Sequence, residues 1–306
     1  MRKIAGILYT SIGSAGVILN LIPGITFLVV KEFHKPAFFL MSSLCFSDAI
    51  ELSMIGIYGG IRLIETTVPQ LIDFDRYMWI LQATEWFTGA TLFAIIAFNR
   101  LISIKFWTKR DRYFSKRATA IFCIFPHIFL FCITLSAFLF VSNKAAFWSA
   151  QYMTIAGGHW ISFRINEVVV YASVILQVVF NTWTILSIRQ RRKVLASDGS
   201  DQATAFKANL KRESKLASQC IITSTVFCMT TVFWQILIFF SYSYPIPLEL
   251  LTFMHVFWLC NHVINPIIYF SFNAKLREVM AEVVLKANIQ RKTTTLVQTT
   301  TTGGHH

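Results

Sequence analysis

The sequence predicts an all-α membrane protein, a bundle of seven transmembrane helices followed by a short amphipathic eighth helix on the inner membrane face. Three observations predict it. The chain of 306 residues is 55% hydrophobic and 14% charged, against roughly 25% charged in soluble domains, and its mean hydropathy is +0.57. The apolar residues fall into seven runs, about 4–30, 37–60, 77–104, 119–142, 166–188, 217–241 and 248–271, each near the roughly 20 residues that a helix needs to cross a bilayer. Lys and Arg gather in alternate connections: Lys31 and Lys35, the stretch from Lys105 to Arg117, the stretch from Arg189 to Lys215, and the tail from Lys275 to Lys292. Such connections stay cytoplasmic, so the N-terminus is expected outside and the C-terminus inside, in the plasma membrane. The net charge of +13 therefore reports topology rather than nucleic-acid binding.

The first run holds Asn20 among apolar residues, with Gly13, Ser14, Ala15 and Gly16 small enough for close helix packing. The second carries Asp48 near the bilayer middle and Glu51 one turn further out. A buried intramembrane acid costs several kcal/mol and marks a functional position by default; the alternative is a structural carboxyl bonded to Asn20 and Asn265. The third run is expected to begin after Asp73-Phe74-Asp75-Arg76-Tyr77 and contains Gln82, Glu85 and Trp86. Arg100 lies about one turn, or roughly 6 Å, from its inner end, preceded by Asn99. Two Asp-Arg-Tyr triplets, at Asp75–Tyr77 and Asp111–Tyr113, are expected outside the helix. The fourth run has Pro126 and His127 but no charge.

The loop after the fourth run is rich in aromatics, including Phe147, Trp148, Tyr152 and Trp160, and reads as an interfacial belt or as a lid. The fifth and sixth runs are joined by about 28 residues in which a polar break, Ser197 to Gln202, separates two basic stretches. Arg191, Arg192, Lys211 and Arg212 there follow the positive-inside bias and offer a basic surface to a cytoplasmic partner.

The seventh run carries the densest polar set: Asn261, His262, Asn265, Pro266 and Tyr269. Pro266 lacks a backbone N–H, which frees a carbonyl one turn back, and lipid offers no water to satisfy it. Asn265 is expected to meet part of that need. A helix so interrupted suits a two-state element. Phe272, Leu276, Val279, Met280, Val283 and Val284 follow at helical spacing, as in an amphipathic helix over 272–287. The chain thus divides into a bundle over 1–271, this surface helix, and a disordered Thr-rich tail over 288–306. The six cysteines all sit in or beside apolar runs, so no disulfide framework is expected, and no cleavable signal peptide is evident. A channel or transporter would show internal repeats or charges along one path, and a hydrolase a third ligand beside His255 and His262; neither pattern occurs. No enzyme activity and no cofactor is expected.

Asn20, Ser43-Leu44-x-x-x-Asp48, Arg100 ending the third run and Asn265-Pro266-Ile267-Ile268-Tyr269 ending the seventh resemble the motifs of rhodopsin-like G-protein-coupled receptors. The chain departs from that superfamily in having Asn99 where an acid precedes the arginine. It also lacks the fourth-helix tryptophan, the fifth- and sixth-helix prolines and the outer cysteine pair. With those departures it is most similar to nematode serpentine chemoreceptors of class T or class X.

The resemblance implies a receptor that binds a small extracellular chemical and activates a heterotrimeric G protein, with a peptide or amine ligand as the alternative. It places the pocket among Gln82, Glu85, Trp86, Trp234, His255 and Trp258. Asp48, Asn261, His262, Asn265, Pro266 and Tyr269 form the conformational switch, with a sodium ion conceivable at Asp48 but not shared with Glu85, which is expected well outside it. Asn99 and Arg100, with Arg191, Arg192, Lys211 and Arg212, face the G protein. Glu213 is a substitute partner for Arg100. The tail threonines are candidate sites for a kinase and arrestin.

Overall fold

In the computed structural model, residues 2–65, 71–141, 146–149, 154–157, 160–197, 201–241 and 246–282 are described. Among the described residues, seven helices are long and apolar enough to cross a membrane. They are α1 (Arg2–Val29), α2 (Pro36–Ile64), α3 (Leu71–Lys105), α4 (Lys116–Val141), α5 (Trp160–Ser197), α6 (Asp201–Ser241) and α7 (Leu248–Phe272). An eighth, α8, covers 274–282. The chain is a multi-pass membrane protein, and α1, α4, α5 and α6 expose many Ile, Leu, Val and Phe side chains, a surface that suits lipid. The end holding Lys35, Arg110 and Arg212 is termed the basic end, and the opposite one the hairpin end.

Helix α3 is the axis of the bundle. Its span is 83% buried, against 22% for α4, and it packs on α2, α4, α5 and α6. Helices α1 and α2 approach closely because glycine faces glycine. A Cβ on Gly13 would stand 2.8 Å from the Gly56 Cα, and one on Gly6 would stand 2.7 Å from the Gly60 carbonyl oxygen. The small residues of the first run therefore act through Gly13 and also through Gly6. A Cβ on Gly16 would meet Val263 of α7 at 2.7 Å. Helix α2 starts on Pro36, whose fixed φ suits the first turn. It widens into a π-helical stretch over Leu52–Tyr58, which the apolar pattern does not reveal.

Four boundaries differ from the sequence expectation by six residues or more; one is the start of α5, which takes in Trp160 from the expected loop. Helix α3 begins at Leu71, so Asp75 lies within it. Its charge is held inside by Arg62 (3.0 Å) and Tyr58 (2.5 Å) of α2, which is why a charged turn need not end the helix. Helices α5 and α6 run past the apolar stretches to Ser197 and back to Asp201. The basic stretches are rich in Ala, Leu, Lys and Arg, good helix formers that continue into water. Leu195, Leu210 and Phe206 pack together beyond the apolar spans.

The aromatic connection between α4 and α5 contains an antiparallel hairpin, β1 (Ala146–Ser149) with β2 (Thr154–Gly157), in the register Ala146↔Gly157. It lies against α3. Its side chains fall outside the described residues, as do the tail beyond Glu282 and the Thr-rich stretch.

At the basic end, the Asn273 Oδ1 accepts a bond from the Leu276 N–H (3.2 Å) and starts α8. Arg277 donates to the carbonyls of Phe270 (2.6 Å) and Ser271 (2.9 Å), closing the end of α7. Leu276 is buried, and Val279 and Met280 pack on the core, as the spacing of the amphipathic segment requires.

Candidate functional site

The polar half of α7 is tied to α1 and α2 at one level. Pro266 deprives the His262 carbonyl of its helical donor. Asn20 of α1 supplies one: its Nδ2 donates to the His262 carbonyl (3.0 Å) and to that of Gly16 (3.0 Å). Asn265, expected to share that role while reaching a neighbouring helix, does the second: its Nδ2 donates to Asp48 Oδ2 of α2 at 2.6 Å. The other oxygen, Oδ1, meets His262 Nδ1 at 2.7 Å. Asp48 is thus a carboxyl bonded to Asn265 and His262, not to Asn20, whose amide reaches past it to the α7 backbone. Each Asp48 oxygen thus meets one side chain of α7. Among the described residues no group of three His, Cys, Asp or Glu could hold a metal. Asn261 is buried beside this network with neither side-chain atom bonded. Tyr269 packs edge-on to Phe27 (5.9 Å between ring centres) in the core at the basic end.

Toward the hairpin end an aromatic cluster continues from the polar core. Trp258 stands 6.5 Å from His262, 4.9 Å from Trp86 of α3 and 5.1 Å from Trp234 of α6. Trp234 meets His255 at 5.0 Å, and His255 meets Tyr9 of α1 at 5.8 Å. Trp86 also touches Phe227 of α6 (5.6 Å), which stacks on Phe93 (4.8 Å). Trp86, Trp234, His255 and Trp258 are therefore one group, joining α3, α6 and α7. His255, Trp258 and His262 share one face of α7, spaced three and four residues apart.

Glu85 does not join that group. Its carboxylate pairs with His127 Nδ1 of α4 at 3.1 Å, and His127 Nε2 meets Ser43 Oγ of α2 at 3.1 Å. The carboxylate is committed to the α3–α4 contact because α3 turns it away from Trp86, its sequence neighbour. Nor does Glu85 lie well outside Asp48: Ser47 Oγ donates to the Glu85 carbonyl at 3.1 Å, which puts Glu85 level with the residue preceding Asp48. Gln82 is half-buried on the same helix.

At the basic end, Arg100 of α3 is buried. It donates to Glu213 of α6 at 3.2 Å and to the side-chain oxygen of its neighbour Asn99. Two cavities open beside the pair. One of about 390 Å³ is bordered by Asn99, Arg100, Arg110 and Glu213. The other, about 590 Å³, is bordered by Arg212, Glu213, Phe272 and Lys275. Arg191 donates to the Lys105 carbonyl (3.2 Å) and lies over Phe206 (5.4 Å). Arg192 and Lys211 border a third cavity with Leu195 and Leu210.

Sequence reasoning assigned no part to His127 or to Ser43's side chain. Asking which base could face a lone intramembrane Glu85 would have found His127, the fourth run's only titratable group besides cysteine. Glu51 also received no role. It is 1% exposed, and both its carboxylate oxygens lack a hydrogen-bond partner.

A family model described as the serpentine type seven-transmembrane chemoreceptor Srt matches residues 1–293. A Caenorhabditis elegans protein described as a "Probable G-protein coupled receptor" is 21% identical over 342 residues, covering 94% of this chain and 68% of that protein. The crystal structure of squid rhodopsin superposes with a TM-score of 0.77 at 16% identity, over 94% of this chain and 86% of that one. At that identity the likeness shows the fold alone.

Proposed function

Since the chain belongs to the Srt family of serpentine chemoreceptors within the G-protein-coupled receptors, we propose that it binds a small chemical from outside the cell and activates a heterotrimeric G protein inside. The hairpin end faces outward and the basic end faces the cytoplasm, on the weight of Lys and Arg in the connections and tail at that end, against the Arg2–Lys3 pair at the other. The observation that carries this reading is the continuity of α7: its outward half holds His255 and Trp258 in the aromatic cluster, and its inward half holds His262 and Asn265 on Asp48. A ligand shifts such a bundle only by binding one packing better than another. A molecule that parts Trp86 from Trp258 and Trp234 acts directly on the helix that carries the polar core.

On this reading the Arg100–Glu213 pair holds α3 and α6 together at the cytoplasmic face in the resting state. Activation separates them and exposes Arg100 and Asn99 beside the already accessible basic groups Arg191, Arg192, Lys211 and Arg212, which together meet the G protein. The Thr-rich tail is proposed as a substrate for a kinase and a docking segment for arrestin. A chemical screen on cells reporting G-protein activation tests the reading, with Arg100→Ala as the coupling-deficient control. At least one compound should activate the parent and not the variant, both being at the surface. A library that activates neither argues against it.

A further inference from the structure

We propose that the ligand is an organic cation, an amine or quaternary ammonium, and that Glu51 is its counter-ion; this rests on the receptor reading above. Four acids are buried among the described residues: Asp48, Glu51, Asp75 and Glu85. Three have a basic partner, namely His262, Arg62 and His127. Glu51 has none, and neither of its oxygens accepts a hydrogen bond. A buried carboxylate left alone is costly; it is relieved by a proton in the empty bundle, or by a partner of opposite charge when a cation is bound.

The cross-helix contacts fix where that partner would sit. Ser47 on the Glu85 carbonyl sets α2 against α3, and Asp48 on His262 and Asn265 sets α2 against α7. Both neighbours run antiparallel to α2. One turn from Ser47 toward the hairpin end, Glu51 stands level with the turn of α3 holding Gln82 and with the turn of α7 holding Trp258 and Asn261. The residue after it, Leu52, belongs to the same buried cluster as Trp258, against which Trp86 and Trp234 pack. Around this level further polar atoms are buried without partners: the Trp258 Nε1–H, both polar atoms of the Asn261 side chain and the His255 Nε2. An acid one residue from Leu52 of the Trp258 cluster suits a soft organic cation, since indole faces attract such charge most strongly. A metal ion would want several oxygen ligands instead.

The test uses the full-length receptor in two arms. In reporter cells, a library of amines and ammonium compounds is matched one-to-one with neutral isosteres. Charged members should activate while their isosteres do not, and Glu51→Gln should weaken potency by about 30-fold or more, as for a desolvated charge pair. Glu51→Asp should recover part of that loss. Activators that are neutral or anionic, or a Glu51→Gln dose–response equal to the parent's at equal surface expression, overturn the inference but leave the chemoreceptor reading standing. An absence of any activator of any charge counts against that reading instead. In purified receptor, tetramethylammonium chloride should raise the melting temperature above that in sodium chloride of equal ionic strength, and Glu51→Gln should abolish the difference. Equal melting in both salts, or stabilisation by sodium alone, also overturns it.

Discussion

Asn20 Nδ2 lies 3.0 Å from the His262 carbonyl oxygen, the group that Pro266 leaves without a helical donor. The two helices are joined where one of them is interrupted. Replacing Asn20 by Ala leaves a buried acceptor unsatisfied, at a cost of about 1–3 kcal/mol. Pro266→Ala restores an N–H able to reach that carbonyl. Asn20→Ala should therefore lower the melting temperature less in the Pro266→Ala background than in the parent. Equal losses in the two backgrounds would dissociate Asn20 from the proline.

Arg100 and Glu213 join α3 to α6 at 3.2 Å. If the pair favours the resting packing, Glu213→Gln should raise ligand-independent G-protein signalling, about fivefold in the population ratio for each ~1 kcal/mol lost. Basal signalling per receptor at the surface is the readout, and an unchanged value contradicts the restraint.

The buried Arg62–Asp75 pair joins α2 and α3 at the hairpin end at 3.0 Å, with Tyr58 also on Asp75. Removing one partner should cost about 3–5 kcal/mol, while replacing both with apolar residues of similar volume should recover much of it. Thermal unfolding of Asp75→Leu against Arg62→Met/Asp75→Leu checks this; no recovery in the double variant would mean that the two do not act as a pair.

Gly56 meets Gly13 so closely that a Cβ on it would fall 2.6 Å from the Gly13 Cα. Backbone cannot yield as a flexible side chain does. Gly56→Val should therefore destabilise by about 1–3 kcal/mol or more and reduce surface expression, whereas parent-like melting would refute the tight α1–α2 contact.

The parts of this molecule that depend on composition along one helix are legible in its sequence. The apolar runs mark all seven spans, and Asp48, Asn265-Pro266 and Arg100 stand out because charge and proline are scarce there. What depends on how helices turn toward one another is not. Glu85 and Trp86 are neighbours in sequence, yet one faces His127 of α4 and the other Trp258 of α7. The phase of α3 that parts them comes from its packing against four helices. Likewise the carbonyl freed by Pro266 is apparent from sequence, but its donor on α1 is not, since 242 residues separate Asn20 from His262. The charged turn around Asp75 reads as a loop until Arg62 and Tyr58 are seen beside it.

Nucleotide exchange on a purified heterotrimeric G protein, driven by the reconstituted full-length receptor and a chemical activator from the matched library, is the most direct measure of the proposed activity. The expected result is exchange accelerated by the chemical with the parent receptor and lost with Arg100→Ala. Exchange that no chemical accelerates, or that is equally fast with Arg100→Ala, would contradict it.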